Sequence, residues 1–216
     1  MEFLSRFIAS ILFVLILPFL LLITIFLLLF QGNPVLFKQE RVGYKFKKFN
    51  IYKFRTMSIN SGELITTYND NRITGFGKLL RITKIDELPQ ICNIIKGDMR
   101  FIGPRPEVQN FFSKEKFNFL EKIKPGLSDF SSILFKNEDI ILKNIGGKNP
   151  YLELLPVKLS LAQYYAKKKS FMLDLKLVSL TIISIFAHNF VCKYFVMNIL
   201  KKDVPSLENF IEKYNL

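Results

Sequence analysis

Histidine is nearly absent from this chain and cysteine is scarce, with one His and two Cys in 216 residues. Most zinc sites and imidazole-centred sites need several such ligands together, so they are excluded. Cys92 and Cys192 lie a hundred residues apart in apolar stretches. They offer no disulfide framework and read as buried free thiols in a reducing compartment. Acid is short relative to base, with 18 Asp+Glu against 31 Lys+Arg and a net charge of +13. No internal repeat or low-complexity tract is visible. What the chain has in quantity is apolar surface: half of its residues are hydrophobic and 23 are Phe, yet 23% are charged. That mixture excludes intrinsic disorder, and equally a polytopic protein built of apolar helices. The length suits one domain with a real core and one appended element.

The appended element comes first. Residues Phe7 to Phe30 form a 24-residue run without a charge. As a helix it would be roughly 36 Å long against a hydrocarbon core of about 30 Å. It ends in Gln31-Gly32-Asn33-Pro34, without the small-residue cleavage site of a signal peptide, and reads as a retained anchor. Pro18 sits mid-run, where it removes a backbone hydrogen bond. Two readings stand on this ground: a kinked spanning helix, or a helix-break-helix that enters and leaves by one face. Glu2 and Arg6 cancel, so the net positive charge belongs entirely to residues 31–216. Lys38, Arg41, Lys45, Lys47 and Lys48 follow the anchor directly, which places the main domain in the cytosol against anionic headgroups.

Beyond the anchor the pattern predicts an α+β domain, small and mostly helical, with a short hairpin. Val35–Gln39 and Phe49–Phe54 read as extended around a turn at Gly43. Residues 58–75 read as a loop free to move. Helices are expected over Phe76–Arg81, Asp86–Lys96, 107–121 and 151–168, with a rigid extended stretch at Gly103-Pro104-Arg105-Pro106 and a turn at Lys124-Pro125-Gly126. Phe171 to Leu200 is apolar but interrupted by Asp174, Lys176, His188 and Lys193. That pattern suits a helix in the membrane interface or one packed on the core, rather than a second span. The tail after Lys201 reads as an exposed terminal helix. His188 reads as a packed or interfacial imidazole, and Lys167-Lys168-Lys169 as headgroup contacts.

Asp86-Glu87 is the pair with most chemical promise. Its plain reading is structural: Thr83-x-x-Asp86 resembles a capping box, Pro89 suits a first turn, and acids are stabilised at a helix N-terminus. The functional reading is an ionised carboxylate that serves as a magnesium ligand or nucleophile. Cations weigh toward the second. Lys53 and Arg55 share one extended segment, Arg81 lies five residues before Asp86, and Arg105 is clamped between Pro104 and Pro106. Several cations beside one acidic pair suit a polyanionic substrate bridged by Mg²⁺, as in phosphoryl transfer. Nucleic acid is not expected as a partner, because no RNA- or DNA-binding signature accompanies the basic charge.

Five motifs then occur in order: Val35-Leu36-Phe37-Lys38-Gln39-Glu40-Arg41-Val42-Gly43, Ile51-Tyr52-Lys53-Phe54-Arg55-Thr56-Met57, Asp86-Glu87-Leu88-Pro89-Gln90, Lys96-Gly97-Asp98-Met99 and Gly103-Pro104-Arg105-Pro106. The series resembles the bacterial sugar transferase family, the monotopic phosphoglycosyl transferases, in their minimal form, from the anchor to about residue 185. The resemblance implies transfer of a sugar 1-phosphate from a UDP-sugar to polyprenyl (undecaprenyl) phosphate, with release of UMP, at the start of glycan assembly. It implies Asp86 as nucleophile of a covalent phosphosugar intermediate, Glu87 as its acid/base partner and Mg²⁺ near Asp86. Lys53, Arg81 and Arg105 would face phosphates, Arg55 would also bind substrate, and Pro104-Arg105-Pro106 would lie near the uridine. It also implies a re-entrant anchor over residues 1–32 broken at Pro18, a catalytic domain over 33–200 with interfacial helices, and a tail over 201–216. The expected location is the cytosolic face of a bacterial inner membrane. The alternative is an inactive membrane-attached scaffold of glycan assembly. The chain departs from the family at Leu17, where a polar residue is common, and at Phe7-Ile8-Ala9, where an Asp is usual. It departs again over residues 127–139, which leaves the sugar open; nor does the chain name a pathway or an oligomeric state.

Overall fold

The computed structural model describes residues 2–58, 70–196, 200 and 202–214. Helix α1 (Glu2–Gln31) runs as one helix through Pro18, without the break expected there, and is, among the described residues, the one helix long and apolar enough to cross a membrane. Ala9 packs into a cluster with Ile51, Ile91, Ile94 and Met99, while Leu20, Ile23 and Leu27 pack with Phe54 and Leu80. One stripe of α1 is therefore domain core, and Leu15, Leu29 and Phe30 on other faces stay exposed. Polar contacts fasten both ends of the helix to the same body. Lys124 donates to Glu2 at 2.9 Å and Arg6 Nε donates to the Ile95 carbonyl at 2.8 Å. At the far end, the Arg55 guanidinium donates to the carbonyls of Gln31 and Gly32.

Strands β1 (Leu36–Val42) and β2 (Lys48–Phe54) form an antiparallel hairpin, with Leu36 opposite Phe54 and Val42 opposite Lys48. Both are longer than the alternation of side chains suggests. Helix α2 (Gly75–Ile82) forms where expected, capped by Thr74, whose hydroxyl accepts from Gly77 N. The helix expected over 86–96 is instead a 3-10 turn at Ile85–Gln90 followed by α3 (Ile91–Lys96). Pro89 has no N–H to contribute to a continuous α ladder. The Thr83 capping box is absent as well: Thr83 ends α2, and its hydroxyl donates backward to Leu79 and Leu80.

Two short parallel strands, β3 (Arg100–Ile102) and β4 (Gly126–Ser128), bring distant segments together. No local pattern in residues 100–128 announces that pairing. The helix expected over 107–121 is not there, and single 3-10 turns at Gln109–Phe111 and Asn118–Glu121 take its place. Its aromatic residues point several ways to make separate contacts, Phe112 with Phe46 and Phe117, Phe111 with Tyr151. A single helical face could not satisfy them all.

Helices α4 (Phe130–Leu134), α5 (Glu138–Ile145) and α6 (Pro150–Lys168) build the main core with Leu154, Leu161 and Tyr165 at its centre. Helix α7 (Phe171–Phe186) does both things its sequence allows. Leu177 and Leu180 pack inward, while Phe171, Met172, Leu175, Ile182 and Phe186 stand exposed. Asp174 faces inward too, accepting from Tyr165 at 2.5 Å and Arg100 at 3.5 Å. The terminal helix Pro205–Tyr214 is not the exposed tail expected, because Leu207 and Phe210 are buried in the main core. Both cysteines are free and only half-buried, not fully buried. Most of the loop expected over 58–75 (residues 59–69) lies outside the described residues.

Candidate active site

Asp86 is presented by an unusual piece of backbone. Lys84 takes a left-handed conformation (φ 59°) between α2 and the 3-10 turn, which reverses the chain within two residues. A non-glycine residue there costs roughly 1–2 kcal/mol. The reversal lets Arg81, at the end of α2, and Asp86, in the first turn beyond, line one cavity of about 1200 Å³. Lys53, Glu87, Arg105 and Pro106 line it as well.

The two adjacent acids meet opposite surroundings. Glu87 Oε1 accepts from Lys53 Nζ at 2.7 Å and from an Arg105 terminal nitrogen at 2.9 Å. Burial opposes ionisation of Glu87, but Arg105 and Lys53 outweigh it and hold the carboxyl well below its usual range. Arg105 is raised in turn by the same pairing, whereas burial lowers Lys53. Asp86 is buried, and its Oδ1 has no hydrogen-bond partner among the described residues. Burial first, and then the charge of Glu87, raise its proton affinity. An orphaned buried carboxylate oxygen is costly unless a ligand completes it.

Mg²⁺ fits that oxygen. The ion commonly takes one or two protein carboxylates and fills the rest of its shell with water and substrate phosphate. No cluster of three or more potential metal-ligating side chains exists among the described residues, so the protein's share would be Asp86.

Other residues position the cations. Asn93, fully buried, donates to the Asn50 carbonyl at 2.7 Å and accepts from Tyr52 N at 3.3 Å, clamping β2 and hence Lys53 to α3. Arg81 Nε donates to the Thr56 hydroxyl at 3.0 Å. The Pro-Arg-Pro segment is held by the residue that follows it. Buried Glu107 accepts from Tyr151 at 2.5 Å, from Arg41 at 3.4 Å and from Val108 N at 2.9 Å. Asp129 caps α4, and its Oδ2 lies 3.4 Å from the backbone N of Arg105.

Five of the residues singled out by sequence, Lys53, Arg81, Asp86, Glu87 and Arg105, therefore share one cavity, with Pro106 beside them. Pro104 does not line it; its carbonyl accepts from Gly126 N at 3.0 Å. Arg55 is turned away, toward the end of α1. Lys53 lies within β2, whereas Arg55 falls one residue past its end, where the chain leaves the strand and the end of α1 takes the guanidinium, so only Lys53 reaches the acids. Sequence reasoning did not find Asn93, Glu107, Tyr151 or Lys158. Glu107 carried a signal, in directly following the rigid Pro-Arg-Pro, but the others meet the site only through long-range packing. His188 does not line the cavity and lies 3.6 Å from Cys192 Sγ.

Known proteins resemble this chain in sequence. The profile of the bacterial sugar transferase family matches residues 2–188. A UDP-N-acetylgalactosamine-undecaprenyl-phosphate N-acetylgalactosaminephosphotransferase of Aeromonas hydrophila is 35% identical over 173 residues, 76% of this chain and 38% of that protein. The uncharacterized sugar transferase EpsL of Bacillus subtilis is 36% identical over 156 residues, 70% of this chain and 69% of its own length. A UDP-glucose:undecaprenyl-phosphate glucose-1-phosphate transferase of Klebsiella pneumoniae is 32% identical over 183 residues, 81% of this chain and 37% of that protein. The chain thus spans little more than a third of the two longer relatives and about two thirds of the shorter one. With a match that runs from the apolar helix through the acidic pair to α7, the chain belongs to the bacterial sugar transferase family.

Proposed function

We propose that this chain is a phosphoglycosyl transferase, moving a sugar 1-phosphate from a UDP-sugar to undecaprenyl phosphate at the start of glycan assembly. The observation that carries the reading is the buried, unpartnered Asp86 oxygen beside a Glu87 already gripped by Lys53 and Arg105. An Asp86 oxygen attacks the sugar-bearing phosphorus of the donor, the bond from that phosphorus to the bridging oxygen breaks, and UMP leaves. An oxygen of the lipid phosphate then attacks the same phosphorus, the aspartyl–phosphorus bond breaks, and the carboxylate is restored. Two half-reactions at one carboxylate give ping-pong kinetics. Carboxylate attack on a polyanion meets like-charge repulsion, which Arg81, Arg105 and Lys53 offset. Mg²⁺ bound at Asp86 would add further charge neutralisation. When donor phosphates draw Lys53 and Arg105 to themselves, Glu87 loses the cations that suppress its basicity and can take the proton of the lipid phosphate.

The acceptor is confined to the bilayer, so the site has to sit at headgroup depth. Two features support an anchor whose two ends both stay on the cytosolic side of a bacterial inner membrane: α1 is fastened at both ends to one domain, and α7 keeps an apolar face exposed. A helix about 45 Å long that touches the same domain from start to finish does not suit a span with its ends on opposite sides. The intact acidic pair and its cations weigh against an inactive scaffold.

The test is a UMP-release screen over many UDP-sugars with undecaprenyl phosphate and Mg²⁺. With an accepted donor and no lipid, intact-mass measurement is expected to find one phosphosugar adduct, absent in Asp86→Asn. Glu87→Gln should lose turnover while staying folded and membrane-bound. Absence of both UMP and adduct across the panel would sink the reading.

A further inference from the structure

The cavity that holds the acidic pair continues along a wall that phosphoryl transfer does not use. Glu138, at the start of α5, lines it, and its Oε2 accepts from Lys158 of α6 at 2.5 Å. Lys158 is itself steered by Tyr151, lying 4.7 Å from the centre of that ring. Tyr151 is fixed in turn by its bond to Glu107. One oxygen of Glu138 is therefore anchored, while Oε1 makes no hydrogen bond among the described residues, and the side chain remains 32% exposed on the cavity wall. The Glu138 charge reaches both Arg105 and Arg41. An ionised carboxylate repels the donor's phosphates, so this wall does not serve the diphosphate. A carboxylate with one oxygen anchored and the other open is suited to accepting from neighbouring hydroxyls. A nucleotide-sugar offers such hydroxyls on its ribose and on its hexose.

Resting on the transferase reading, we propose that Glu138, oriented by Lys158, is a specificity residue that accepts hydrogen bonds from a vicinal diol of the nucleotide-sugar donor. Hydrogen bonds to a charged group contribute enough that Glu138→Gln should weaken donor binding about tenfold. Glu138 is bonded to Lys158 and not to Asp86, Lys53 or Arg105, so kcat at saturating donor should stay within about twofold of the parent.

The experiment is calorimetric binding of a UDP-sugar and of UMP to the full chain in lipid nanodiscs, parent against Glu138→Gln, with thermal unfolding of both. Equal weakening of UMP and UDP-sugar assigns the diol to the ribose. Weakening of UDP-sugar alone assigns it to the hexose. Unchanged binding of both overturns the inference. Deoxy donors lacking one hydroxyl at a time supply a second measurement on the parent protein, which does not depend on the variant folding. One of them should bind about tenfold more weakly, and if none does the inference also fails. Binding is read separately from turnover: a parent that binds donor but never releases UMP defeats the transferase reading and leaves this test standing. A parent that binds no UDP-sugar defeats both.

Discussion

Asp86 and Glu87 are neighbours in sequence with opposite shifts in proton affinity, and the difference comes from burial of Asp86 and from two side chains on other segments that grip Glu87. Lys53 and Arg105 hold Glu87 ionised, whereas Asp86 keeps a bare oxygen. A carboxyl whose native pKa lies below its ordinary 4.5 stabilises the fold above that pH, and this stabilisation is lost as pH falls through the depressed native value. Glu87→Gln removes it and leaves two cations uncompensated. The stability gap between parent and variant should be widest near neutrality and close in acid, as read by unfolding temperature across a pH series. A gap that widens in acid would contradict the pairing. Much of this was legible from residue types: an acid pair, a Lys on a strand, and an Arg between prolines. Arg55 looked equivalent to Lys53 because residues two apart on a strand share a face, but β2 ends at Phe54 and the rule lapses one residue before Arg55. Glu138 and Lys158 were not legible, because helices twenty residues apart in sequence bring them together.

Among the elements, close approach decides the geometry. A Cβ on Gly77 would lie 2.1 Å from the Thr56 carbonyl oxygen and 2.8 Å from its carbon, so α2 sits directly on the end of the β2 segment. That contact brings Arg81 within reach of Thr56. Gly77→Ala should push the two apart at a cost of about 2 kcal/mol, lower the unfolding temperature, and reduce donor affinity through Arg81. An unaltered unfolding temperature would show that the helix shifts without penalty. Hairpin, α2 and α6 were readable from local pattern because their signals are local: a turn at Gly43, Thr74 ahead of one helix, and Pro150 at the head of the other. The segment 107–121 was misread because its Phe residues answer to partners on Phe46 and Tyr151, which helical periodicity does not reveal. The parallel pairing of β3 with β4 has the same origin. Gly103 and Gly126 approach so closely that an added Cβ on Gly126 would lie 2.1 Å from Gly103 N, and no local rule announces such a contact.

For the whole molecule, the apolar run at the start was plain from composition, and its role in packing was not. Ala9, Leu20, Ile23 and Leu27 complete two of the three apolar clusters, facing the strand that carries Lys53 and the helix that carries Arg81. Removing residues 1–31 would bare Ile51, Phe54, Leu80 and Ile94 together. The expected product is aggregated or detergent-dependent protein that binds no UDP-sugar, measured by size-exclusion chromatography and calorimetry. A monodisperse, donor-binding fragment would refute it. The leader is thus more a keel than a mooring line. Protein engineers who trim such segments to obtain a water-soluble enzyme would here be removing the frame that aims the cations, and any lipid or detergent that loosens α1 should be felt as a change in donor affinity before it is felt as detachment.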